Sequence, residues 1–465
     1  MSVSRSSKNL AIGTGIYAVG TFGTRILMFL IVPLYTHYLD ASEMGTYDLL
    51  VSIIGLLIPI ISLQIADAVY RWIIQENVES NLYLRSAYQF LILSSLVAVV
   101  VIIAVDFFVS IPYLMYFLGA LFSALYFQIN QKILRGLKRQ WLFAISGIVY
   151  TGVFLVLNII QLCILERGIK GLLMSYIVAN IIGIITIVAH EKRIRINLLK
   201  RPEFQILRKL LCYSIPLIPN YLSWWIVDSS DKYIVLFFLG VSSNGILAIA
   251  HKFPTVIQSV FGLFLNSWQD FALANENAEK SFFTSVFQKL YRFSFSLIWV
   301  LVPLTKLLVW IVMGKDYKIA CDFIPFYYLG AIFQVYCSFY GVGYLRTKNT
   351  KRAFSSSIYG ALINAVINIC LINFVGLQAA AISTFVSFFV MWLIREKQNK
   401  KELEIIIKWS EFWILLLTDI YVCVISIWAS IRFSVIQSII SISCFCLFNR
   451  NEVNTIIGVI KEHKK

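Results

Sequence analysis

Apolar runs of about twenty residues recur along nearly the whole chain, and the charged residues gather in short stretches between them. One such run, as a helix, spans the roughly 30 Å hydrocarbon core of a bilayer. Backbone polar groups in lipid must be satisfied inside the segment or in a closed barrel, so runs of this length are helices. Of 465 residues 59% are hydrophobic and 14% charged, where a soluble chain carries about 25% charged. The sequence therefore predicts an all-α, polytopic membrane protein.

Fourteen spans fit the pattern, near 10–36, 46–66, 87–107, 110–130, 141–165, 169–189, 210–238, 244–266, 287–312, 321–345, 354–374, 377–394, 410–430 and 433–449. No connection exceeds about 22 residues, which leaves no room for a soluble domain on either face. With the N-terminus in the cytosol, 31 of the 40 Lys and Arg fall in cytosolic segments and at most 6 on the other side. The remaining three, Arg25, Lys252 and Lys306, lie inside spans. That asymmetry is the positive-inside signature and predicts both termini in the cytosol. It also accounts for the net charge of +16 without a nucleic-acid partner.

Catalytic signatures are missing. There is no GxSxG, HExxH or P-loop, the spacing of Gly13, Gly15, Gly20 and Gly23 misses GxGxxG, and only His251 of four histidines is embedded. Eight cysteines are scattered through mostly apolar segments; Cys444 and Cys446 have no nearby His, so neither metal nor disulfide is expected. The basic start MSVSRSSKN precedes an apolar run too long for a signal peptide, and the first span is expected to stay. The chain reads as a non-enzyme without a resident cofactor.

An internal repeat organises these spans. Leu39-Asp40-Ala41-Ser42-Glu43-Met44-Gly45 follows the first, and Leu239-Gly240-Val241-Ser242-Ser243-Asn244-Gly245 follows the seventh, 200 positions on. Leu134-Arg135 and Leu345-Arg346 echo each other after the fourth and tenth. The pattern predicts two parallel six-helix halves, 1–200 and 201–400, around a central cavity, with two further helices and a tail in 401–465.

Charges inside spans cost roughly 2.5–3.5 kcal/mol each and mark partners or cavities. Cys212–Lys252 is the densest such stretch, carrying Asp228, Asp231, Lys232, His251 and Lys252. Asp231, Lys232 and Lys252 read either as a wall of a substrate pathway or as a salt-bridge cluster bracing two helices. Arg25, about 22 Å into the first span at 1.5 Å per residue, faces a cavity or a structural partner. Lys306 is a weaker candidate that can snorkel. Arg71 and Arg292, at cytosolic ends, are topology signals or the mouth of a site. Pro33, Pro59, Pro216, Pro219 and Pro254 concentrate in spans one, two, seven and eight, as bendable gates would. Trp224 and Trp225 pack between helices or stack on a sugar.

Three stretches carry a family resemblance: YSIPLIPNYLSWWIVDSSDKYIVLFFLG with the following NGILAIAHK, VPLYTHYLDASEMGTYDLL after the first span, and the LRGLKR loop. They resemble the prokaryotic polysaccharide transporter family, the Wzx-type flippases of O-antigen repeat units. That family lies in the superfamily that also holds drug/cation antiporters and lipid II flippases. Asp40 stands where relatives usually have Gly. The resemblance implies a flippase that turns undecaprenyl-diphosphate-linked oligosaccharide from the cytosolic to the periplasmic leaflet of the bacterial inner membrane. It implies a cation-lined cavity, to which Arg25, Asp231, Lys232 and Lys252 are carried over, and membrane lipids and a glycan polymerase as further partners. Drug or cation antiport, lipid II flipping and a membrane-embedded polymerase or ligase are the alternatives. The coupling ion, H⁺ or Na⁺, stays open.

Overall fold

Helix boundaries fall where the sequence supplies a cap, a glycine or a proline between apolar runs. The computed structural model describes residues 29–73, 80–194, 203–274, 280–347 and 350–450, and every regular element among them is helical. Helix α1 (Val32–Tyr38) ends at Leu39, and Asp40 opens α2 (Ala41–Ser62). The Asp40 carboxylate accepts from the Glu43 amide at 2.7 Å, and the Glu43 carboxylate accepts from the Asp40 amide at 3.4 Å. This reciprocal cap satisfies two amides that otherwise lack helical partners. Leu63 and Gln64 are both left-handed and separate α2 from α3 (Ile65–Ile73), so the second span stops short of its expected end.

Next come α4 (Ser80–Val109), α5 (Leu114–Gly136), α6 (Gln140–Asn158, prolonged by a π-turn over Ile159–Ile164), α7 (Gly168–His190) and α8 (Phe204–Ser214). Then follow α9 (Ile218–Ala250) and α10 (Lys252–Ala274). Helices α11 (Lys280–Val312), α12 (Ile324–Arg346), α13 (Thr350–Val375), α14 (Gln378–Leu403), α15 (Trp409–Trp428) and α16 (Ile431–Phe448) complete the chain. Ten helical segments among the described residues are long and apolar enough to cross a membrane, eleven with the bent pair Lys315–Asp322 and Ile324–Arg346. One of the ten, Ser229–Gln269, is 41 residues long, enough for two crossings, and Gly240 (φ 83°) breaks it. Gly240 stands 200 positions after Asp40, and both lie at non-helical breaks between helices, Asp40 together with Leu39 and Gly240 alone. Each expected span from the second onward coincides with a helix or helix pair. The first lies mostly outside the described residues.

Two compact units divide the chain, 1–229 and 230–465, and the division falls inside α9. In the second unit α12 is the core element, buried along nearly its whole length. Its Phe333 and Tyr336 meet Trp392 of α14, which stacks on Phe412 of α15 at 4.9 Å between ring centroids. Lipid tails are as apolar as these side chains, so close packing and hydrogen bonds hold such helices together rather than the hydrophobic effect.

Helices α11 and α15 carry a polar ladder. Arg292 pairs with both Glu411 oxygens, at 2.5 and 2.9 Å. Seven residues on, Trp299 stands beside Asp419. Seven further, the Lys306 ammonium donates to the carbonyls of Ser426 and Ile427. Partners advance in the same direction on both helices at close to heptad spacing, so α11 and α15 run parallel with a coiled-coil-like seam. Two odd-numbered spans run the same way across a bilayer, as these do.

Candidate functional site

Among the described charged residues of the Cys212–Lys252 stretch, Asp231 is the most deeply buried, only 5% exposed. Helix α9 carries it into the second unit. Asn364 and Asn368 lie four residues apart on one face of α13, and Thr384 comes from α14. The Asn368 amide donates to Asp231 Oδ1 at 2.9 Å, and the Thr384 hydroxyl donates to Oδ2 at 2.7 Å. Asn364 donates to Thr384 Oγ1 at 3.3 Å and accepts from Ser230 at 3.4 Å. Asp231 thereby ties three helices through one side chain.

Two acceptor-capable atoms beside this cluster have no hydrogen-bond partner among the described residues: Asn368 Oδ1 and the Tyr327 hydroxyl. Tyr327, on α12, packs edge-on against His251 at 4.4 Å. A buried polar atom without a partner costs about 1–3 kcal/mol. Anionic, amide, hydroxyl and phenolic oxygens converging in a low-dielectric interior suit a proton on Asp231 or a hard monovalent cation held beside it. Lys232 follows Asp231 directly and is half-buried, but adjacent residues on a helix do not share a face.

The other expected site residues fall elsewhere. Arg25 lies outside the described residues. Lys252 is half-buried at the first position of α10. Lys306 is 7% exposed and bound to the carbonyl end of α15, a favourable place for a cation because that end carries the negative pole of the helix. Lys306 thus reads as an internal cap of α15. Arg292 is held by Glu411, to which Tyr291 also donates at 3.3 Å. Arg71 sits over the Tyr213 ring at 4.7 Å and donates to its hydroxyl at 3.3 Å, inside the first unit. Trp225 donates to the Ser52 carbonyl at 3.0 Å, the helix-packing role.

Most of the prolines start helices rather than bend them. Pro33 occupies the first turn of α1, Pro216 a 3-10 turn before α9, Pro219 the first turn of α9 and Pro254 that of α10. There the missing amide has no partner to lose. Pro59 lies inside α2 and Pro303, which the sequence reading passed over, inside α11. Among the described residues, only these two break an internal ladder.

Sequence reasoning also passed over Asn364, Asn368, Thr384 and Arg395. Arg395, one residue past the expected span 377–394 and so among the cytosolic charges, is buried in α14 and donates to Cys337 O, Ser356 Oγ and Ser357 Oγ at 2.8–3.1 Å. The sequence signal for the asparagines was their spacing of four in an apolar run.

The profile of the polysaccharide biosynthesis protein family matches residues 10–268. The chain belongs to that family. No curated protein matches it in sequence. Among solved structures, this family member is similar to a lipid II flippase, MurJ, in an inward closed conformation, with a TM-score of 0.69 at 18% identity, covering 95% of this chain and 99% of that one. It is also similar to an inward-facing multidrug resistance MATE family transporter of the MOP superfamily, with a TM-score of 0.65 at 14% identity, covering 82% and 94%. A MOP superfamily transporter from Pyrococcus furiosus gives a TM-score of 0.54 at 13% identity, covering 84% and 95%. The fold is that of MOP-superfamily transporters, and the protein is a multi-pass membrane protein.

Proposed function

We propose that this polysaccharide biosynthesis protein is a flippase for polyprenyl-diphosphate-linked oligosaccharide repeat units. It turns the O-antigen-like headgroup from the cytosolic to the periplasmic leaflet of the bacterial inner membrane by alternating access, with both termini in the cytosol. The observation that carries the reading is the pairing of a polysaccharide-biosynthesis family with a fold shared with a lipid II flippase. A diphosphate-linked glycan cannot cross hydrocarbon unaided, because its charges and hydroxyls lose their water. In this reading Arg25, Lys232 and Lys252 offset the headgroup charge while the polyprenyl chain, undecaprenyl in bacteria, stays in lipid.

The Asp231 cluster is the coupling centre. Binding a proton or Na⁺ neutralises the carboxylate, and Na⁺ also gives the unpartnered Asn368 Oδ1 a ligand, which changes how α9, α13 and α14 pack. Flipping is tested with purified protein in vesicles loaded on one leaflet with a fluorescent polyprenyl-diphosphate oligosaccharide, read by a membrane-impermeant glycan-modifying reagent. Protein-dependent transfer of the glycan lipid is expected. Transfer no faster than in empty vesicles, together with export of cationic drugs, would assign the chain to drug antiport instead.

A further inference from the structure

A groove of about 470 Å³ opens in the first unit between α4, α5 and α7. Helix α4 exposes Leu93, Leu96, Val97 and Val100, and α7 exposes Ile181 and Ile185, so this flank faces lipid. The groove walls are Phe122, Ile177, Ile181, Ile184 and Val188. Gly119 lets α5 and α7 pack closely beneath it, since a Cβ there would meet Ile177 Cδ1 at 3.0 Å. The lining is mostly apolar. Its edge is not apolar: Tyr88 donates to Asn130 Oδ1 at 2.5 Å, and the Tyr126 hydroxyl lies 3.4 Å from Ser95.

One end of the groove is basic. Ile194 closes the lining, and the two residues before it in the same 3-10 turn, Lys192 and Arg193, are exposed. Arg85 lies one turn before the lining Tyr88 on α4 and pairs with Glu203 at 3.4 Å. Glu191 holds Arg139 at 2.9 Å and Arg193 at 4.0 Å. Four cations thus stand against two carboxylates where an apolar groove meets a basic loop. Basic pockets between membrane helices on the side favoured by Lys and Arg are the sites that select anionic headgroups.

We infer that this groove binds an anionic phospholipid, with one acyl chain between α5 and α7 and the phosphate at Lys192 and Arg193. A zwitterionic lipid offers the same chain without net charge to meet the excess cations. The site lies in the first unit alone and is separate from the Asp231 cluster.

The test uses the full chain in nanodiscs of equal phosphatidylglycerol and phosphatidylethanolamine, released for native mass spectrometry. The wild type is expected to retain one phosphatidylglycerol in preference. The Lys192→Ala/Arg193→Ala variant, which alters only exposed side chains, is expected to lower that preference about fivefold per cation. Ile181→Trp, on the lipid-facing wall, is expected to abolish retention by filling the groove. Equal retention of both lipids by the wild type would overturn the proposal, as would unchanged retention in the double variant. Displacement of phosphatidylglycerol by equimolar polyprenyl diphosphate would overturn it too, by giving the groove to the substrate's tail. If Ile181→Trp fails to fold, the double variant still decides.

Discussion

Asp231 concentrates the chemistry of the second unit because its two oxygens are held from two different helices. Asp231→Asn keeps the shape and can still accept from Thr384, but it carries neither charge nor a titratable proton. The variant is therefore expected to fold with normal thermal stability in detergent while flipping driven by a Na⁺ or proton gradient falls about tenfold, within the usual range of coupling between sites. Full gradient-driven activity in the variant would remove Asp231 from coupling. Gly168 makes a different kind of demand. Its φ is +51°, and a Cβ there would stand 2.2 Å from Glu43 Oε1. That oxygen accepts from the Ile169 amide at 3.2 Å, and its twin caps Asp40. Gly168→Ala combines left-handed strain with loss of these bonds. It should lower stability by about 1–2 kcal/mol, seen as a lower unfolding temperature, and a neutral result would mean the loop before α7 gives way freely.

Among elements, the α11–α15 seam shows which charges do structural work. Lys306 is buried on two carbonyls, whereas Arg292 is partly exposed, with 43% of its side chain open and 24% of its Glu411 partner's. Exposed pairs contribute about 0–1 kcal/mol, while a hydrogen bond to a buried charge is worth about 1.5–3 kcal/mol. Lys306→Met should therefore destabilise the protein more than Arg292→Ala in thermal unfolding; the reverse order would refute the capping role. The helices themselves were legible, because apolar runs and the bias of Lys and Arg report the spans directly. Charged residues within spans were legible as anomalies, and Asp231 and Lys306 stood out on that ground. Their partners did not. Asn364, Asn368 and Thr384 are neutral and unremarkable singly, and all three lie more than 130 residues from Asp231, so only the fold brings them together. Helix starts are hidden for a related reason: Pro216 and Pro219 read as gates inside one span because α8, with Arg208 and Lys209 in its middle, runs into α9 through a single 3-10 turn.

At the scale of the whole molecule, the direction of transport is a question of charge carried across the membrane. Under the proposed function, a diphosphate headgroup moving outward carries about two negative charges, and each is worth roughly 2.3 kcal/mol per 100 mV. A monovalent cation moving inward at Asp231 adds a third charge of the same sense. At 30 mV, inside negative, each charge contributes roughly 0.7 kcal/mol, about a threefold change in the steady-state distribution. Vesicles poised with valinomycin and a K⁺ gradient should therefore show about a 35-fold shift of labelled glycan lipid toward the outer leaflet for the wild type. Asp231→Asn, which moves the headgroup without the cation, should show about a tenfold shift at the same potential. Equal slopes in the two proteins would separate the Asp231 cluster from ion movement and leave the potential acting on the headgroup alone. A flat response in both would mean that the headgroup crosses with its charge already compensated, which would take the driving force away from the membrane potential altogether.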